Sequence, residues 1–102
     1  MGHSETQQWR IADAVAWTAN SDGIVALDLE SETAHPTALL GTAAFVWDEL
    51  DANGPIDTEH LLRNIAMAFE VGVDEIRADV IDLLATLRDG GLATTKVSTT
   101  VE

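Results

Sequence analysis

Residues 74–89 form the longest helical pattern in the chain, and they carry more apolar surface than one packing seam requires. Ile76, Val80, Leu83 and Leu87 recur at three- and four-residue spacing and make one stripe, while Ile81 and Leu84 make a second beside it. Asp74 stands at the start as an N-cap. Arg88 sits in the last turn, where a cation complements the helix dipole, and Gly90-Gly91 stops the helix. A helix with two apolar faces needs two neighbours, so the remainder of the chain must supply two surfaces against it. The first stripe is expected to pack on other helices. The second either packs beneath a sheet or lines a groove that accepts a partner.

Both kinds of neighbour are legible upstream. From about residue 41 to 51, Leu40, Ala43, Ala44, Trp47 and Leu50 keep the period of one buried helical face, and Asn53-Gly54-Pro55 ends that helix. The next helix opens at Asp57, whose carboxylate caps free N–H groups, and runs to about Phe69. Ile56 before the cap and Leu61 after it form a hydrophobic staple. Earlier still come two strand-like stretches, 14–18 and 24–30, joined by Asn20-Ser21-Asp22-Gly23, residues that tolerate the positive φ of a hairpin turn. In the second stretch Val25, Leu27 and Leu29 alternate with Ala26, Asp28 and Glu30, which predicts one face buried and one wet. Thr33, Ala34, His35, Pro36 and Thr37 read as a third, extended strand, because Pro36 lacks an N–H and biases His35 away from helix; a proline within a strand argues for a sheet edge.

Three short strands followed by three helices predict an α+β domain, a winged helix-turn-helix with a three-stranded antiparallel sheet against a three-helix core. The domain is expected over residues 14–93. An N-terminal arm, 1–13, precedes it, of which Met1-Gly2-His3-Ser4 reads as a cloning remnant. A Thr-rich tail, 94–102, follows and reads as frayed or as a short added strand. The length of 102 residues, 46% of them apolar, suits a single domain.

Composition narrows the function. Eighteen Asp and Glu against five Lys and Arg give a formal net charge of -13, which repels phosphate backbones and anionic lipid, so neither nucleic acid nor membrane is expected as a partner. The absence of Cys removes disulfides, thiolate chemistry and Cys-bound zinc, and a reducing cytoplasm suits such a chain. No G-x-S-x-G, phosphate-cradling glycine-lysine loop or H-E-x-x-H is found, so no catalytic residue, metal ligand or cofactor is assigned. Glu49-x-Asp51-x-Asn53-Gly54 begins like a calcium loop, but its first ligand is Glu and its twelfth position is His60 instead of a bidentate Glu. His35 and His60 lack a second His or Cys at ligand spacing and read as surface or capping residues. The scattered carboxylates read as a solvated surface.

One feature of the fold does point outward. A third strand lying at a free edge beside the last helix has unpaired backbone groups that a strand from another chain can extend, with Ile81 and Leu84 supplying a side-chain pocket. The residues that carry this arrangement resemble the PqqD-like family, the recognition elements that bind leader peptides of ribosomally made, post-translationally modified peptides. The resemblance spans about residues 14–93. It rests on the hairpin Asp22-Gly23-Ile24-Val25-Ala26-Leu27-Asp28, on Leu39-Leu40-Gly41-Thr42-Ala43-Ala44-Phe45-Val46-Trp47, and on the closing helix with its Gly-Leu end, 73–92. In the second segment the family commonly shows Leu-Asn-x-Thr-Gly-Ala-x-x-Trp. Here Leu40 stands in place of the Asn, and Ala43 stands where Gly is usual.

The resemblance implies a non-catalytic adaptor. A leader peptide would add antiparallel to the third strand at Thr33, Ala34, His35 and Pro36, and lay side chains against Arg77, Val80, Ile81, Leu84 and Arg88 of the third helix. The bound precursor would be presented to a partner such as a modifying enzyme or a leader peptidase. The acidic surface would then favour a basic leader or a basic enzyme surface, since complementary charge mainly speeds encounter. Two other readings follow from the same elements. A winged-helix DNA-binding regulator would need its reading helix to approach phosphate with five acids, Asp74, Glu75, Asp79, Asp82 and Asp89, against two Arg. A structural interaction module would use the same edge to join copies.

Overall fold

In the computed structural model, which describes residues 3–32 and 35–101, the strands and helices run in the order β1 (His3–Ile11), β2 (Val15–Asn20), β3 (Gly23–Asp28), β4 (Thr37–Leu39), α1 (Thr42–Asn53), β5 (Ile56–Asp57), α2 (Thr58–Phe69), α3 (Val73–Asp89) and β6 (Ala93–Val101). The protein is α+β, with two antiparallel three-stranded sheets and three helices. This corrects the expected order of three strands and then three helices: strands stand at both ends and between α1 and α2 as well.

The first sheet, β2-β3-β4, forms around the expected turn. Asn20 Oδ1 accepts from the backbone N–H of Asp22 at 2.8 Å and of Gly23 at 3.1 Å, fixing the hairpin in which Asn20 pairs with Gly23 and Val15 with Asp28. Gly23, at φ 148°, also lets β4 come close: a Cβ there would stand 2.4 Å from the Leu39 carbonyl oxygen. The buried parity of β3 is opposite to the expectation. Ile24 and Ala26 are buried, Val25 and Leu27 are half-buried, and Leu29 is 62% exposed. The reason is bulk opposite the strand. Trp17, paired with Ala26, meets Trp47 of α1 edge-on with ring centroids 6.0 Å apart, and the small Ala26 leaves room for both indoles.

The second sheet, β5-β1-β6, takes in residues that the sequence places in an arm and a tail. Ile11 pairs with Ala93, and the ladder runs on to His3 with Val101. β5 adds only two rungs, Gln8 with Asp57 and Trp9 with Ile56. Trp9 anchors the ribbon: its ring is buried and its Nε1–H donates to Thr58 Oγ1 at 2.9 Å. Polar strands of this kind carry no amphipathic signal. Their pairing depends on contacts between opposite ends of the chain.

The helices follow their sequence signals closely. The Asp57 carboxylate caps α2 by accepting from the His60 N–H at 2.7 Å, and Ile56 and Leu61 are both buried, as a staple requires. α3 starts two residues earlier than expected, with Gly72 as N-cap in place of Asp74; Glu75 Oε2 accepts from the Gly72 N–H at 3.2 Å. At its other end the N–H of Leu92 reaches the Leu87 carbonyl at 2.9 Å and that of Gly91, at φ 77°, reaches Arg88 at 3.0 Å, closing the free carbonyls. One seam of α3 faces the core, formed by Val80, Leu84 and Leu87 at spacings of four and three. It packs with Val46, Trp47 and Leu50 of α1 and Leu61, Leu62 and Ile65 of α2 in one apolar cluster. No helix among the described residues is long and apolar enough to cross a membrane.

Candidate functional site

β4 is the place where the fold leaves backbone unpaired beside a cavity. On one side it pairs with β3, Ile24 with Leu39, Val25 with Ala38 and Ala26 with Thr37. Among the described residues no strand covers its other side. The strand begins at Thr37 because Pro36 has no N–H to give to a ladder; of the strand expected at 33–37, His35 and Pro36 lie outside β4 and Thr37 opens it. Thr37 and Ala38 are exposed, whereas Leu39 turns into the core.

Beside this edge lies a cavity of about 320 Å³ lined by Asp28, Ser31, His35, Thr37, Asp89, Gly90 and Leu92. Three local structures converge on it. β3 ends at Asp28, whose Oδ1 accepts from the Glu30 N–H at 3.0 Å and so turns the chain away from the sheet. α3 ends at Asp89 and Gly90, directing the negative end of its dipole to the same place. Gly91 carries the chain past Asp28 so closely that a Cβ on it would stand 2.3 Å from Asp28 Oδ2. Two carboxylates and a helix C-terminus give the cavity a negative potential that favours a cationic group.

The residues singled out in the sequence are distributed unevenly about this site. Thr33 and Ala34 lie outside the described residues. His35 lines the cavity. Pro36 lines a second, shallow depression of about 280 Å³ with Ala16, Trp17, Thr18, Val25 and Leu27. Val80 and Leu84 are 1% and 0% exposed and belong to the core seam, so their side chains have no surface to present to a peptide. Ile81 is 44% exposed. Arg88 is exposed beside Asp89, with Nε 3.5 Å from Oδ1. Arg77 is engaged by α2: its two Nη atoms donate to Glu59 Oε2 at 2.5 Å and Oε1 at 3.1 Å. Those hydrogen bonds hold the Glu59 carboxyl below the usual carboxylate range, with the charges of Arg77 and Arg63 acting in the same direction and desolvation opposing them.

Asp28, Asp89 and Gly91 were not among the expected site residues. The signals for them are local: Asp28 begins a turn-like Leu29-Glu30-Ser31 run, and Gly90-Gly91 marks a helix end that must pass close to something.

Neither the curated proteins nor the solved structures gave a match. The family described as coenzyme PQQ synthesis protein D (PqqD) matches residues 23–93, a span that takes in β3, the edge strand β4, all three helices and the cavity between β4 and the end of α3. With most of its length matched, this chain belongs to the PqqD family.

Proposed function

We propose that the protein is a non-catalytic adaptor that captures the leader of a ribosomally made precursor peptide by strand addition at β4 and presents the precursor to a modifying enzyme or leader peptidase. The observation that carries this reading is the unpaired edge of Thr37–Leu39 beside the cavity at the end of α3. An added strand gains main-chain hydrogen bonds from the edge, and side chains of alternate residues enter the cavity and contact α3. Asp28, Asp89 and the helix terminus favour a Lys or Arg of the leader at that position. Holding the leader raises the effective concentration of the rest of the precursor at a bound enzyme, which needs no catalytic group on the adaptor.

The charge of α3 speaks against DNA reading. Its two Arg are already beside Glu59 and Asp89, and its five acids repel phosphate. A shift of duplex DNA in a gel at physiological salt would reopen that reading.

The direct test is a titration of isotope-labelled protein with leader peptides encoded beside its gene, following backbone amides by NMR. Shifts concentrated in residues 28–31, 35–40 and 81–92 are expected. Asp89→Lys should weaken binding of a basic leader about tenfold, and more at low salt. Shifts confined to other surfaces, or affinity indifferent to Asp89→Lys and to Ile81→Asp alike, would overturn the proposal.

A further inference from the structure

A second edge stands open on the other sheet. In the order β5-β1-β6, β6 is terminal, and among the described residues no strand pairs with its outer side along Ala93–Val101. β5 reaches β1 only at Gln8 and Trp9, so among the described residues the outer part of the ribbon pairs only two strands. Two strands alone are marginal in water, and a third is what makes such a ribbon stable. The usual protections of a sheet edge are sparse: β6 has no Pro and a single charge, Lys96, and is otherwise Ala, Thr, Ser and Val. Val97 is 55% exposed.

Charge identifies what fits there. β1 and β6 together hold Arg10, Lys96 and one acid, Glu5, whereas every other acid of the chain lies elsewhere with only Arg63, Arg77 and Arg88 to offset it. A second copy that approaches the ribbon edge therefore meets little of the negative charge that the rest of this strongly acidic molecule carries. We propose that two copies join by antiparallel pairing of β6 with β6. A two-fold axis at Val97 sets that side chain against its own copy and Lys96 opposite Ser98. Thr95 then falls opposite Thr99, and Thr94 opposite Thr100. No charged residue faces another directly. The result is one continuous sheet in the order β5-β1-β6-β6-β1-β5. β4 belongs to the other sheet, so the dimer leaves both leader sites open.

Sedimentation velocity of the full chain from low micromolar to submillimolar concentration tests this. The wild type should double its sedimenting mass as concentration rises. Val97→Lys, which sets two positive charges face to face at the axis, should weaken dimerisation on the order of tenfold or more. Its circular dichroism should match that of the wild type, because the side chain is exposed. A wild type that stays monomeric throughout, or a Val97→Lys variant that dimerises as readily as the wild type, would overturn the proposal; binding of a leader peptide at β4 is read separately and is expected to be the same in both.

Discussion

Substitution of Gly91 by Ala probes the junction on which the candidate site is built. Gly91 has φ 77°, a conformation that costs an L-residue roughly 1–2 kcal/mol. The new Cβ would also stand 2.3 Å from Asp28 Oδ2 and 3.0 Å from its Cγ, so the carboxylate must swing away. Moving it gives up the hydrogen bond from the Glu30 N–H to Oδ1, worth about 1 kcal/mol. Together these predict a loss of about 2–3 kcal/mol, a large fraction of the stability of a small domain. In an Asp28→Ala background the collision is gone and the turn bond is already absent. There the same change should cost only the backbone part, about 1–2 kcal/mol. Urea denaturation followed by tryptophan fluorescence, run on the four proteins of this cycle, measures the difference. Equal losses in both backgrounds would refute the close approach of Gly91 to Asp28. Because Asp28 lines the cavity, Gly91→Ala should also weaken leader binding in conditions where the domain remains folded.

Leu84→Ala should cost about 2–5 kcal/mol, since Leu84 is fully buried, whereas Ile81→Asp on the exposed side of the same helix should stay within about 0.5 kcal/mol in the same denaturation assay. The Glu59 carboxyl should titrate below the usual carboxylate range by NMR, and Arg77→Ala should return it. A depressed folded-state value means that the stabilisation is complete above the ordinary carboxylate range and is lost as pH falls through the Glu59 titration. Trp9→Phe should destabilise more than Trp47→Phe: the first removes the donor to Thr58, while the second removes an indole N–H that is buried with no acceptor among the described residues, and relief of such a group is worth about 1–3 kcal/mol.

The elements with strong local codes were legible in the sequence. The Asp57 cap and its staple, the Gly90-Gly91 stop and the Asn20 turn each fix a boundary through two or three adjacent residues, and the structure has all three. Faces were harder. Around α3 the apolar arc is wider than the buried arc, so side-chain identity does not say which seam is inside. The sequence groups Val80 and Leu87 with Ile76 and Leu83, but the core takes Val80, Leu84 and Leu87, leaves Ile76 and Leu83 half-buried, and leaves Ile81 exposed. In β3 a small Ala lies inside and larger residues lie farther out, because the space is set by Trp17 and Trp47 from elsewhere. An extended segment around Pro36 is legible in the sequence, but where pairing begins is set by the missing N–H of Pro36, which leaves Thr37–Leu39 as the described edge strand. β1 and β6 were the least legible, being largely polar stretches whose ladder is mainly with each other.

That last pairing bears on how the molecule is made. Ile11 meets Ala93 and His3 meets Val101, so every rung of the ribbon closes a loop that contains nearly all of the remaining chain. The entropy of such a closure grows only slowly with loop length, yet it must be met before any rung gains energy in return. The hairpin β2–β3 and the neighbouring helices α2 and α3 need only short loops and can form while synthesis is still under way. β1 precedes β6 by the length of all the other elements and has to wait for it. The nascent chain therefore carries the Trp9 indole without its partner strand until β6 has been made, and completion of the ribbon joins the two ends of the domain over its helical core.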